Sequence, residues 1–240
     1  MLIGPQNLTV EVNRVRARIR GAALAAGRDP ASITLIAVSK TKAAELVRAA
    51  AMAGVTDFGE NYVQEAIAKI DALAPLGVRW HFIGGLQSNK TRPVAERFDW
   101  VHSVDRLSIA RRLSNQRPFH APALNICLQV ALVSEPTKGG VDPAGLAELA
   151  QRTAELPRIR LRGLMCIPPP QPDVSSERAV FSRLRRLLEE LNSRGLGLDT
   201  LSMGMSADFE SAIAEGATHV RIGTAIFGSR VPEAKRAAGP

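Results

Sequence analysis

The chain carries little aromatic or sulfur chemistry: its 240 residues include one tyrosine, two cysteines and an aromatic share of 4%. So few rings leave no platform on which nucleic-acid bases could stack. Cys127 and Cys166 each sit inside an apolar run, Asn125-Ile126-Cys127-Leu128 and Leu164-Met165-Cys166-Ile167, where a buried thiol acts as a small hydrophobe. Neither their spacing nor a neighbouring histidine supports a disulfide or a metal centre. No apolar run is long enough to span a bilayer, and the first residues, Met1-Leu2-Ile3-Gly4-Pro5-Gln6-Asn7, lack the basic and apolar regions of a signal peptide. A cytoplasmic protein with no membrane partner is the expectation.

Positive charge is plentiful. The formal net charge of +8 invites a nucleic-acid reading, since a basic face releases counterions from phosphates. The distribution argues otherwise: Arg14/Arg16/Arg18/Arg20, Arg158/Arg160/Arg162 and Arg183/Arg185/Arg186 are short clusters interleaved with apolar positions, which read as solvated faces. No helix-turn-helix or zinc-finger spacing is present. No specific nucleic-acid partner is expected.

Short β-like runs alternate with amphipathic helical stretches. A first helix reads from the N-cap candidate Asn7 through the stripe Leu8, Val12, Val15 and Ile19, and stops near Gly27-Arg28-Asp29-Pro30. Eight candidate strands follow, over 34–39, 57–59, 79–83, 100–103, 124–133, 161–167, 200–203 and 219–222, with helical segments filling most gaps, for example 43–53, 63–73, 107–112, 143–155, 176–192 and 209–214. No hairpin turn joins successive strands, so crossovers and a parallel sheet are favoured. Eight β/α units predict a single-domain (β/α)8 barrel with an additional N-terminal helix, a little shorter than the usual roughly 250 residues. One domain is expected over 1–240, with the helix at about 7–27, the barrel at about 33–228 and a short tail. An open doubly wound sheet is the alternative, disfavoured because neither Gly59 nor Gly84-Gly85 belongs to a dinucleotide fingerprint.

On a barrel, strand ends at the C-terminal face carry the chemistry, and phosphates commonly bind after strands seven and eight. Lys40 ends strand one, which neighbours strand eight on closure. A lysine that loses its proton forms a Schiff base with an aldehyde. The loops after strands seven and eight read Gly204-Met205-Ser206 and Gly223-Thr224-Ala225, where small residues let backbone N–H groups approach a phosphate. Ser206 reads equally as the N-cap of the next helix. An amine beside a phosphate cradle points to pyridoxal 5′-phosphate (PLP), which has both an aldehyde and a phosphate.

The motifs Ala37-Val38-Ser39-Lys40-Thr41-Lys42, Phe58-Gly59-Glu60-Asn61-Tyr62-Val63-Gln64-Glu65, Trp80-His81-Phe82-Ile83-Gly84, Leu86-Gln87-Ser88-Asn89-Lys90, Ser202-Met203-Gly204-Met205-Ser206 and Arg221-Ile222-Gly223-Thr224-Ala225-Ile226-Phe227-Gly228 resemble those of the pyridoxal phosphate homeostasis proteins. The resemblance runs in register over roughly 35–228. It implies a barrel like the N-terminal domain of alanine racemase. By the same resemblance Lys40 is the Schiff-base lysine, Ser206, Gly223 and Thr224 contact the phosphate, Arg221 faces the pyridine nitrogen, and Asn61 and His81 lie near the ring.

Each of these residues also has a plainer reading. Arg221 could make a structural ion pair with Glu60 or Asp208, His81 could be a core histidine, and Asn61 could cap the following helix. Lys42 is a second candidate amine; Lys90 reads as a surface charge. If Arg221 does face the ring nitrogen, its permanent charge disfavours protonation there and leaves a poor electron sink. Racemases of the related fold draw a second acid/base, a tyrosine, from another domain. Here only Val231 to Pro240 follow the barrel motifs, and Tyr62, the sole tyrosine, reads as packing.

The expected function is therefore a non-catalytic PLP carrier that holds the cofactor reversibly and delivers it to apo-enzymes, as a monomer. A PLP-dependent amino-acid racemase is the alternative. Two departures from the family pattern stand out: Gly85, where proline or histidine is common, and Pro168-Pro169-Pro170, which stiffens the loop after strand six. That loop and Thr137-Lys138-Gly139-Gly140 are candidates for a lid or delivery surface.

Overall fold

Eight parallel strands close into a barrel in sequence order, which excludes the open doubly wound sheet. The computed structural model describes residues 4–133 and 139–228, so Thr137 and Lys138 lie outside the described residues. Helix α1 (Leu8–Ala25) precedes β1 (Thr34–Val38), α2 (Ala44–Met52), β2 (Asp57–Glu60), α3 (Val63–Leu73), β3 (Arg79–Phe82), α4 (Thr91–Arg97), β4 (Trp100–Val104) and α5 (Leu107–Gln116). Then come β5 (Leu124–Gln129), α6 (Pro143–Ala154), β6 (Ile159–Met165), α7 (Val174–Ser193), β7 (Thr200–Ser202), α8 (Phe209–Ala214), β8 (His219–Ile222) and the short α9 (Thr224–Phe227). Closure pairs β1 with β8 in the register Thr34↔His219 to Ala37↔Ile222, bringing the ends of the first and last strands together.

Differences from the sequence reading have local causes. Asn7 occupies the cap of α1, but its backbone is already helical, continuing the turn Pro5–Asn7, and its side chain caps nothing. The expected strand over 124–133 stops at Gln129 because the chain beyond it pairs with the returning loop: Ala131 N–H donates to Val141 O at 3.0 Å and Val141 N–H to Gln129 O at 2.8 Å. Helix α4 was hidden by Pro93, which the first turn of a helix tolerates because its N–H groups have no intrahelical acceptor. Helix α7 starts two residues before the expected 176, where the Asp173 carboxylate accepts the Ser176 N–H at 2.8 Å.

Alternation along each strand separates two layers. One set of side chains, including Phe58, Phe82, Val101, Ile126, Leu164 and Val220, packs against the helices in one large apolar core. Each such side chain fully buried contributes about 1.5–3 kcal/mol. Inside the barrel the character changes: a small cluster of Trp100, Cys127 and Met165 shares the space with buried His81, His102, Ser202 and Arg221. Both cysteines are free and buried, and burial pushes the Cys166 thiol up to about 12. Among the basic clusters, Arg14 pairs with Glu11, Arg18 with Glu210, Arg162 with Asp199 and Arg185 with Glu189.

Candidate functional site

A cleft of about 340 Å³ opens at the C-terminal mouth of the barrel, and its walls include Lys40, Asn61, Ser206, Arg221, Gly223 and Thr224. Six of the seven residues singled out in the sequence thus meet at one place, although they lie on four strand ends. His81 is the exception. It is buried within the barrel, with Nδ1 at 2.9 Å from His102 Nε2 and Nε2 at 2.9 Å from Asp57 Oδ1, and it takes no part in the cleft wall. The motif position placed it on the correct strand, but it sits one layer below the opening.

The segment bearing Lys40 is gripped from below. Lys69, on α3, is buried and donates to Ser39 O at 2.6 Å, to Glu60 Oε1 at 2.7 Å and to Glu65 Oε1 at 2.6 Å. Ser39 Oγ donates to the same Glu60 oxygen at 2.6 Å, and Glu65 also accepts the Thr41 N–H at 2.6 Å. Thr41 has φ +63°, a left-handed conformation that a β-branched residue adopts only when its surroundings impose it. Burial raises the Glu60 carboxyl above its ordinary value, although Lys69 and Ser39 oppose that shift. The sequence reading passed over Lys69; the Glu65/Lys69 spacing, one helical turn apart, was the available signal.

Lys42 lies elsewhere: its Nζ donates to Phe227 O at 3.0 Å and Gly228 O at 3.3 Å, fastening the β1 end to α9. Lys90 lines a neighbouring cleft with Tyr62, Gln64 and Gln87. Tyr62 is 54% exposed, so it is not a packing residue.

Three features of the cleft leave hydrogen-bonding capacity open. Asn61 does not cap α3, whose cap is Tyr62, and its Oδ1 is buried without a partner among the described residues. Gly84 permits this close approach, since a Cβ there would collide with the Asn61 backbone. Arg221 is buried yet meets no carboxylate among the described residues: Nη1 donates to Ser202 Oγ and Nη2 to Cys166 O, each at 2.8 Å. The ion pairs envisaged with Glu60 or Asp208 do not form; Asp208 instead accepts the Met205 N–H at 2.6 Å. Burial lowers Arg221 from its ordinary value. It remains a cation, with three of its five N–H groups unused among the described residues.

The third feature is the pair of loops after β7 and β8. Ser206 lies in the turn before α8 and does not cap it; the cap is Asp208. The backbone N–H groups of Ser206, Ala207, Gly223 and Thr224 have no backbone acceptor among the described residues. Gly204 makes this turn at φ +89°, and a Cβ there would lie 2.6 Å from Ala212 Cβ. Amide and hydroxyl donors converging from two loops suit a tetrahedral anion. Together with an amine, a buried guanidinium and an orphan acceptor, this donor set fits a phosphorylated aromatic aldehyde.

A larger crevice, of about 470 Å³, opens at the other mouth, beside Arg16, Arg20, Asp57 and Arg79. It holds no strand-end amine, and Arg79 is already paired with Asp57.

Comparison with known proteins accords with this geometry. The model of the alanine racemase N-terminal domain matches residues 10–231. The pyridoxal phosphate homeostasis protein of Pseudomonas aeruginosa is 61% identical over 219 residues, covering 91% of this chain and 94% of that protein. Its counterpart in Escherichia coli K12 is 52% identical over 220 residues, covering 90% and 94%. The chain belongs to the pyridoxal phosphate homeostasis protein family, built on the alanine racemase N-terminal domain. Among solved structures, PipY of Synechococcus elongatus with PLP bound superposes with a TM-score of 0.82 at 40% identity, covering 92% of this chain and all of that one. The alanine racemase of Corynebacterium glutamicum, at 18% identity and TM-score 0.66, shares the fold over 92% of this chain and 62% of its own.

Proposed function

We propose that this protein binds PLP reversibly at Lys40 and hands it to apo-enzymes without turning over amino acids. When bound, PLP would supply an aldehyde able to condense reversibly with the Lys40 amine, releasing water. The chain's own groups do the rest. Ser206, Gly223 and Thr224 would take the phosphate through hydroxyl and amide donors, and Asn61 would offer its unpaired oxygen to the ring substituents. Arg221 would direct an unused N–H at the pyridine nitrogen.

The observation that carries the reading is Arg221, a buried cation lining the Lys40 cleft with no carboxylate against it among the described residues. A donor there binds the ring nitrogen while withholding the proton that would make the ring an electron sink. The sole tyrosine lines the neighbouring cleft, so it offers no evident second acid or base for racemisation. The family relationship to proteins named for PLP homeostasis, and the PLP-bound relative PipY, support the same assignment. The carrier would act as a monomer.

The test pairs two measurements. Holo-protein mixed with an apo-enzyme that requires PLP should restore that enzyme's activity, and incubation with alanine or serine in deuterated water should leave the α-proton unexchanged. Exchange at about 1 to 10³ s⁻¹, the ordinary enzymic range, would make an amino-acid racemase the better reading.

A further inference from the structure

Arg221 has no carboxylate at its side among the described residues, but a chain of hydrogen bonds connects it to one at the opposite mouth of the barrel. Its Nη1 donates to Ser202 Oγ at 2.8 Å, and that oxygen lies 2.8 Å from His102 Nδ1. His102 Nε2 lies 2.9 Å from His81 Nδ1, and His81 Nε2 lies 2.9 Å from Asp57 Oδ1. Arg79 closes the far end, donating Nε to Asp57 Oδ1 at 2.7 Å and Nη2 to Oδ2 at 2.8 Å. Arg221, Ser202, His102, His81 and Asp57 are all buried. His81 is further fixed by stacking on Trp100, with ring centroids 5.6 Å apart and planes 14° apart.

Chemistry gives the chain a direction. A guanidinium only donates and a carboxylate only accepts. Ser202, having accepted from Arg221, gives its one hydrogen to His102 Nδ1. His102 then carries its proton on Nε2 and donates to His81 Nδ1, so His81 carries its own on Nε2 and donates to Asp57. Every link has one donor and one acceptor, and both rings are neutral. The opposite direction would set an unprotonated His81 Nε2 against the carboxylate, acceptor to acceptor, or require a charged imidazole. Burial disfavours that charge at both histidines.

We propose that Ser202, His102, His81 and Asp57 are positioning residues for the ligand-binding cleft: a directed hydrogen-bond chain through the barrel that fixes Arg221 with its spare N–H groups toward the bound ring. The carboxylate polarises the chain from a distance, steadying the guanidinium without neutralising it locally. This rests on the reading that Arg221 faces the ring nitrogen.

Two measurements on the full-length protein decide it. Nitrogen-15 NMR of histidine-labelled protein without ligand should show His81 and His102 as neutral Nε2–H tautomers from pH 5 to 8; an Nδ1–H tautomer or an imidazolium at either would overturn the chain. Second, affinities for PLP and for its 1-deaza analogue, which has carbon in place of the ring nitrogen, should differ at least tenfold in the native protein. Ser202→Ala should shrink that ratio to within threefold by weakening PLP alone, and Ser202→Thr, which keeps the hydroxyl, should restore it. Equal losses for both ligands in Ser202→Ala, or an unchanged ratio, would overturn the positioning role. A native protein that does not discriminate between the two would remove Arg221 from the ring nitrogen and the proposal with it. The phosphate cradle would then stand or fall separately, on the affinity for pyridoxal without phosphate.

Discussion

The two levels of the barrel interior treat polar groups in opposite ways. At the C-terminal mouth, Asn61 Oδ1 has no partner, Arg221 holds N–H groups in reserve, and the loops bearing Ser206 and Thr224 present unused donors. One layer below, Asp57, His81, His102 and Ser202 are satisfied by one another. A buried polar group left unpaired costs about 1–3 kcal/mol. Polarity without partners therefore marks where a ligand belongs, and polarity with partners marks what holds the ligand's contacts in place. Substitutions in the two levels should separate accordingly, the upper ones moving affinity alone and the lower ones moving stability together with the placement of Arg221.

The largest effect expected is on stability as a function of pH. Burial holds His81 and His102 below their ordinary values and takes His219 to about 3. Below about pH 6.5 the unfolded chain takes up protons at these positions that the folded protein does not, so stability falls as pH falls. His219 alone gives up to about 1.4 kcal/mol per pH unit near pH 5, and the downward shifts of His81 and His102 add to it in the same sense. Glu60, shifted upward, stays protonated longer in the folded state and offsets part of this slope. Denaturant titrations between pH 7 and 4.5 check the sign; stability independent of pH would show that the lower layer is hydrated and titrates freely.

Asp57→Ala comes next, with an expected loss of about 3 kcal/mol, the upper end for a hydrogen bond to a charged group. It strands the His81 donor inside the barrel, and the loss should appear as a lower midpoint in chemical unfolding. A change under 1 kcal/mol would place Asp57 in the same class as the surface. In the upper level, Thr224→Ala should weaken PLP by about 1.5–3 kcal/mol, the scale of a hydrogen bond to a charged group. Its unfolding midpoint should stay unchanged, as calorimetric titration and denaturation read side by side would show. Lys90→Ala should be the mildest, altering both quantities by less than about 0.5 kcal/mol; a larger loss of affinity would extend the site into the neighbouring cleft.

Much of the upper level was legible in the sequence because its residues mark strand ends. Lys40, Ser206, Gly223 and Thr224 follow apolar runs whose number and spacing already implied a closed barrel, and closure sets the first strand beside the eighth. The lower level was not legible. His81 and Asp57 are joined across 24 positions, and His102 and Ser202 across 100. Nothing local announces those pairings, which arise only when the strand register is fixed. His102 lay within an expected strand over 100–103 as one more residue of a half-apolar run, and Ser202 lay in a motif read for its neighbours. His81 was read as near the ring from its motif position, which names a strand of the barrel and not the depth along it.

Reduction of the PLP-loaded protein with borohydride, followed by peptide mass mapping, tests the central assignment most directly. The pyridoxyl mass is expected on the peptide that contains Lys40. Label found chiefly on Lys42 or Lys90, or no covalent label at all, would contradict it.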